Sequence, residues 1–323
     1  MKNIGTTLSL IVILTLCSMK QDTIPSTEIS NGLITAKILL PDRSQGYYQG
    51  TRFDWSGVIE SLKFSGHEYF GKWFEIYDPK IHDAIMGPVD DFLPIGYEEA
   101  KPGEKFLKIG IGIISKPDSK PWTFTRTYPV LNYGTWKIKA GPDNVKFIHI
   151  LNDNDYSYEY EKVVQIVKGE PVLKLIHKLK NTGKTKLETP CYNHNFFVID
   201  NQPVGPGYSA EFPYTISGVF RDGAGLAQIT GKKFTLNRNL VKPETIFSEG
   251  LQGSGNENVP YEIRIENKTT GAGVRISCDK PIMKMVFWAN PYTFCPEPYI
   301  RITAGPGETY EWTITYEFYN ISN

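Results

Sequence analysis

Apolar residues in this chain recur at every second position or in short unbroken runs, and Gly, Pro, Asn or Asp closes each run. No other feature limits the fold as much. A period of two belongs to a strand, whose successive side chains face opposite ways, whereas an amphipathic helix needs a period of about 3.6. Helical periodicity is scarce. Strands are predicted over "GVIESLKF" (Gly57 to Phe64), "KFLKIGIGII" (Lys105 to Ile114), "NVKFIHIL" (Asn144 to Leu151), "EKVVQIV" (Glu161 to Val167) and "PVLKLIHKLKN" (Pro171 to Asn181). Later ones are "YEIRIEN" (Tyr261 to Asn267), "GVRISCD" (Gly273 to Asp279) and "ETYEWTITYEFYN" (Glu308 to Asn320). Turn formers predict hairpins at "NTGK" (Asn181 to Lys184) and "NKTTGAG" (Asn267 to Gly273). "NDND" (Asn152 to Asp155) lacks the glycine and distal glutamate of a calcium loop and reads as another hairpin turn. The 19 Tyr, 29 Gly and 22 Pro suit strands joined by tight turns. With no internal repeat and no long linker, the expectation is a single all-β domain over residues 21–323. So many strands imply two large sheets packed face to face, or several joined sandwiches.

Residues 1–20 read as an export signal. Lys2 supplies a positive charge, and "LSLIVILTL" (Leu8 to Leu16) is an apolar run of h-region length, short for a bilayer span. Cys17 follows directly, and "LTLC" partly resembles a bacterial lipobox, in which the cysteine is lipidated; Leu16 departs from the small residue usual at that position. The expectation is an exported protein of the periplasm or cell envelope, anchored to the membrane through a lipid on Cys17. The alternative is a cytoplasmic chain with a buried apolar N-terminus. Lysine plus arginine (35) equals aspartate plus glutamate (35), so no basic field invites nucleic acid. Beyond Cys17 stand Cys191, Cys278 and Cys295, which fit no zinc spacing and read as small buried residues; no spacing assigns a disulfide among them.

Two histidines read differently. In "VLKLIHKLK" (Val172 to Lys180), His177 shares a strand face with Leu173, Leu175 and Leu179 and reads as a hydrogen-bonded core residue. His194, in "ETPCYNHNFFVID" (Glu188 to Asp200), stands between two asparagines and before two phenylalanines, at the end of a predicted strand. Glu297 sits in "CPEP" (Cys295 to Pro298), where flanking prolines hold the carboxylate rigidly and predict a backbone outside any central ladder. No phosphate-binding glycine loop, GxSxG elbow or HExxH motif occurs.

These segments resemble the galactose mutarotase (aldose 1-epimerase) family. Asn193-His194-Asn195-Phe196-Phe197 matches its Asn-His-x-(Tyr/Phe)-Phe motif, and Cys295-Pro296-Glu297-Pro298 looks like its C-terminal glutamate after a Cys-x pair. Pro306-Gly307-Glu308 and Tyr316-Glu317-Phe318 match, in order, its Pro-Gly-Glu turn and closing Tyr-x-Phe strand. The likeness runs from the His194 motif to the C-terminus and is looser before it. It implies a β-supersandwich and an enzyme that interconverts the anomers of a free sugar. In that chemistry a base takes the proton of the C1 hydroxyl and an acid protonates the ring oxygen, so that the ring opens and recloses on the other face. By resemblance Glu297 is the base and His194, titrating near neutral pH, the acid, with no metal and no cofactor.

The resemblance also nominates substrate-binding residues. Arg52, in "YYQGTRFDWSG" (Tyr47 to Gly57), is the best arginine; a strand-edge pairing with Asp54 is the alternative. His82, in "IHDAIMGPVDDF" (Ile81 to Phe92), is the best second histidine, although an insertion and Gly87-Pro88 replace the family's His-Gly-Gly. Asn193 belongs to the motif itself. Glu262 is the carboxylate nearest to where the family's central aspartate should fall. Sugar C–H faces pack on rings, and Trp288 is the first choice of platform, ahead of Trp55 and Trp73. Two further readings stand beside this one: a non-catalytic carbohydrate-binding protein on the same fold, and a polysaccharide-processing enzyme such as a lyase. In each the expected partner is a mono- or oligosaccharide.

Overall fold

The computed structural model describes residues 24–253 and 261–321. Cys17 and the leader expected over residues 1–20 lie outside them. Among the described residues the regular structure is antiparallel strand, apart from one short 3-10 turn at Ile199–Asn201.

Two sheets form the body. The larger has ten strands in the order Ala227–Thr230, Lys233–Leu236, Tyr208–Glu211, Glu262–Asn267, Ala272–Cys278, Thr309–Asn320, Val172–Asn181, Tyr158–Ile166, Asn144–Leu151 and Thr135–Ala140. The smaller has six, in the order Ile216–Asp222, Ile246–Gly253, Lys284–Asn290, Thr293–Ala304, Leu187–Phe196 and Gly87–Phe92. A four-stranded sheet (Ser26–Ser30, Ile34–Leu39, Val58–Phe64, His67–Glu68) and a three-stranded one (Lys105–Lys108, Gly112–Ser115, Val130–Asn132) complete it.

Alternation explains how the sheets meet. On Asn144–Leu151 the side chains of Val145, Phe147, His149 and Leu151 are buried and the intervening ones half-buried, the period-two signature of a strand with one face inward. Leu173, Leu175 and Ile314 of the ten-stranded sheet share one apolar cluster with Cys191, Phe294, Ile300 and Ile302 of the six-stranded one. Polar groups cross the same seam. The Tyr316 hydroxyl lies 2.5 Å and 2.7 Å from the side-chain oxygens of Asn193 and Asn195. Buried Asp90 meets Lys162 at 2.7 Å and His177 at 3.0 Å, which makes His177 the bonded core histidine that its strand face predicted.

The turns at "NKTTGAG" and "NDND" join antiparallel partners, as expected. "NTGK" does not. The strand before it, Val172–Asn181, lies in the ten-stranded sheet and the strand after it, Leu187–Phe196, in the six-stranded sheet, so the turn carries the chain from one sheet to the other. Asn181 builds this crossover. Its buried side-chain amide donates to the carbonyls of Thr185 and Ala304, both at 2.9 Å, and its side-chain oxygen accepts from the Gly183 N–H. "KFLKIGIGII" is two strands rather than one. It folds back at Gly110 (φ 77°), where an added Cβ would lie 2.5 Å from the Asp54 carboxylate. Cys191 and Cys295 are buried, Cys278 is half-buried, and all three thiols are free.

Candidate functional site

The site lies on the face of the six-stranded sheet that points away from the larger sheet. Along Leu187–Phe196, Tyr192, His194 and Phe196 project to this face, and Cys191, Asn193 and Asn195 project inward. Along Thr293–Ala304, Cys295, Glu297 and Tyr299 share the outer face. The two strands pair from Leu187↔Ala304 to Tyr192↔Tyr299 and meet again at Phe197↔Phe294, a register that sets His194 opposite Glu297.

The "CPEP" segment therefore sits inside a central strand, contrary to its sequence reading. It is tolerated because of what replaces the missing donors. Pro296 and Pro298 have no N–H, and the ladder toward His194's strand is interrupted where they stand. The side chain of Asn195 fills the gap, donating to the carbonyls of Asn193 and Pro296 at 3.0 Å each. On its other edge the same strand pairs without a break, through Met285↔Pro298, Val286↔Glu297 and Phe287↔Pro296.

Above this floor is a cleft of about 730 Å³. Arg52 and Asp83, together with Trp122 and Phe124 from the loop 116–129, also line it. His194 Nε2 lies 3.3 Å from Glu297 Oε1. The two residues are only 2% and 5% exposed, yet both line the cleft. The His194 ring stacks on Phe196 at 3.8 Å, with the edges of Phe53 and Trp288 around it. Its Nδ1 is buried without a hydrogen-bond partner.

Burial governs the charge of this pair. Loss of solvent, reinforced by the nearby Arg52 guanidinium, holds the His194 imidazole well below its usual range. Loss of solvent pushes the Glu297 carboxyl up to about 8, against the pull of Arg52 and with the repulsion of Asp83 and Asp91. Near neutral pH the stable form is an uncharged imidazole beside a protonated carboxyl.

Arg52 enters the cleft but does not pair with Asp54, which turns inward to Ser56 and Lys162. Instead Arg52 pairs with Asp83, approaches Asp91 at 3.5 Å and donates to the Tyr192 hydroxyl at 2.9 Å. Tyr192 in turn donates to Asp91 at 2.8 Å, and Lys108 caps the other oxygen of Asp91. Burial alone would raise the Asp83 carboxyl; Arg52 and His82 bring it down to about 2. Trp288 lines the cleft as expected, while Trp73 is packed on Phe196 beneath it and Trp55 lies against Tyr133.

Three nominated residues are elsewhere. His82 stands behind Asp83, with Nε2 3.0 Å from that carboxylate, and is not part of the cleft lining. Asn193 faces the sheet interior, donating to Asp90 at 2.9 Å, because strand alternation turns it away from its neighbour His194. Glu262 belongs to the other sheet, where it pairs with Arg275 at 2.8 Å. The carboxylates that do reach the cleft beside Glu297 are Asp83 and Asp91, together with Asp222 and Glu249 farther along. Asp91 had a signal in "GPVDDF": two adjacent acids within a buried strand must face opposite sides, one to the core and one to the site. Among the described residues no three His, Cys, Asp or Glu side chains are arranged to hold a metal ion.

No protein-family model matches the chain, and no curated protein matches it in sequence. Solved structures match it in shape. Slr1438 of Synechocystis sp. PCC 6803 aligns with a TM-score of 0.58 at 13% identity, over 95% of this chain and 100% of its own. A galactose mutarotase related enzyme from Lactobacillus acidophilus aligns with a TM-score of 0.55 at 11% identity, over 92% of this chain and 98% of its own. A galactose mutarotase-like protein from Lactobacillus casei gives 0.53 at 12% identity, over 91% and 100%. At these identities the likeness is one of architecture: the chain has the all-β galactose mutarotase-like fold, a β-supersandwich.

Proposed function

We propose that the protein interconverts the anomers of a free sugar by acid–base ring opening, with Glu297 and His194 as the reacting pair. The observation that carries this reading is the 3.3 Å approach of His194 Nε2 to Glu297 Oε1 on the floor of an open cleft. Ring opening needs one proton delivered to the ring oxygen and one removed from the C1 hydroxyl, and both oxygens are bonded to C1. The acid and the base must therefore stand side by side, as these two do.

The resting proton sits on Glu297, so the roles at rest are the reverse of those implied by the resemblance. Glu297 protonates the ring oxygen as the bond from that oxygen to C1 breaks, and His194 Nε2 accepts the C1 hydroxyl proton as the aldehyde forms. The open-chain sugar then faces a carboxylate and an imidazolium, with the Arg52 charge close enough to favour the carboxylate. Rotation about C1–C2 and the reverse transfers close the other anomer and reset the pair. Anomer exchange followed by NMR across a panel of aldoses tests this. Glu297→Gln and His194→Gln each remove one proton carrier at nearly constant volume and should slow exchange by roughly 10²–10⁴-fold. If no aldose exchanges faster than in buffer alone, the reading fails.

A non-catalytic sugar-binding role is the second reading. It is favoured by the displacement of His82 and Glu262 from the cleft, which leaves fewer groups to grip hydroxyls than the resemblance implied. Calorimetry showing sugar binding undiminished in Glu297→Gln, without turnover in either protein, would select it. On its leader sequence, the protein is proposed to act in the cell envelope, anchored through Cys17. Expressed in a bacterium, the chain should incorporate labelled fatty acid and fractionate with membranes, and Cys17→Ser should abolish both.

A further inference from the structure

The cleft is longer than one sugar ring. Its lining draws on every strand of the six-stranded sheet: Asp91 at one edge, then His194, Glu297, Val286 and Phe247 on successive strands, and Arg221 at the far edge. Five inter-strand steps make about 24 Å. The reacting pair is not central in this span. Beyond His194 the near edge is one strand away, and its Asp91 is already held by Lys108, Arg52 and Tyr192. Beyond Glu297 three more strands follow, about 14 Å of open groove.

The far stretch is built for hydroxyl groups rather than for an anion. Arg221 is paired with Glu249 at 2.5 Å and lies over the Phe247 ring at 4.0 Å. Lys284 lies over Tyr299 at 4.5 Å, and Asp222 takes a bond from Thr245. Two acids against two bases leave no net field to select a phosphate or a carboxylate. The pairing of Ile216–Asp222 with its neighbour shifts register between Phe220 and Asp222. Such a bulge re-aims side chains, and here Arg221 and Asp222 both reach the groove.

We infer that the cleft takes the reducing end of a linear, uncharged oligosaccharide, its terminal ring over His194 and Glu297 and its further rings laid across Val286 and Phe247 toward Arg221. The inference rests on the anomer-exchange reading for the direction of the chain, because ring opening requires a free C1 hydroxyl and every other unit must then lie on the open side. The test uses glucose, maltose to maltotetraose and cellobiose to cellotetraose, with anomer exchange at the reducing end followed by NMR. In at least one series kcat/KM should rise about tenfold or more from one ring to three, and Arg221→Ala or Phe247→Ala should take back most of that gain. Equal kcat/KM at every length overturns the inference and leaves the anomer-exchange reading standing. If no sugar of any length exchanges, that reading is what has failed, and calorimetry on the same series decides this one. Affinity that climbs with length keeps the extended groove; affinity that stays flat, or no binding at millimolar sugar, overturns it.

Discussion

Burial acts on His194 and Glu297 in opposite directions, lowering the affinity of one for a proton and raising that of the other, so the same dry pocket gives an acid and a base without a net charge. The pH dependence follows with a definite sign. In the proposed mechanism the working form holds the proton on Glu297, so kcat/KM for anomer exchange should fall as pH rises through about 8, where that carboxyl ionises. The acid limb, set by His194, should lie well below pH 6.5. Asp83→Asn removes a negative charge that raises Glu297 and frees Arg52 to lower it, and both effects move the alkaline limb to lower pH. A pH–rate profile with an unmoved limb in Asp83→Asn would show that Glu297 does not set it. His194 and Glu297, which the structure brings within 3.3 Å, could be singled out because each sits in a short local motif. Its electrostatic partners were not. Arg52, Asp83 and Asp91 are far from both motifs along the chain, and only the folded sheet brings them to one cleft. Asn193 shows the same limit from the other side: motif membership placed it next to His194, and alternation placed it on the opposite face.

The strands themselves could be read because a half-buried strand must alternate, and the predicted segments from Gly57 to Asn320 coincide with observed strands except Lys105 to Ile114, which Gly110 folds into two. Two further elements misled for identifiable reasons. "NTGK" has hairpin composition, but composition cannot say whether the next strand stays in the same sheet, and Asn181 satisfies the crossover from its side chain. "CPEP" has the composition of a chain segment outside a ladder, but a side chain on the neighbouring strand, Asn195, which stands opposite Pro296 in register, supplies what the prolines lack. This gives Asn195 a structural weight that its place in the His194 motif would not suggest. Its amide holds the Asn193 and Pro296 carbonyls, and its oxygen lies 2.7 Å from the Tyr316 hydroxyl, all buried. Asn195→Ala should cost about 1–3 kcal/mol for each buried group left without a partner. Urea denaturation measures this, and a loss under about 0.5 kcal/mol would show that the break between the strands is satisfied in another way.

At the scale of the molecule, two sheets enclose polar groups as well as apolar ones, and the protein's stability must register their titration. Asp90, desolvated between the sheets but held by Lys162 and His177, keeps its carboxyl far below the usual range. Its folded form binds a proton less readily than its unfolded form, so this contribution is present above the ordinary aspartate range and is lost as pH falls. Glu297 works in the other sense. Unfolded, it releases its proton near 4.5; folded, it keeps the proton until about 8. Between those values the folded state binds more protons, so stability declines as pH rises across the window and levels off above it. Glu297→Gln cannot ionise and has no such decline. Relative to wild type the variant should therefore gain on going from pH 5 to pH 8.5, by up to a few kcal/mol, read as the difference between paired urea transitions at the two values. The comparison cancels Asp90 and every other group common to both proteins. An equal offset at both pH values would mean that Glu297 is ionised in the folded protein throughout. The proton proposed to start ring opening would then have to come from His194.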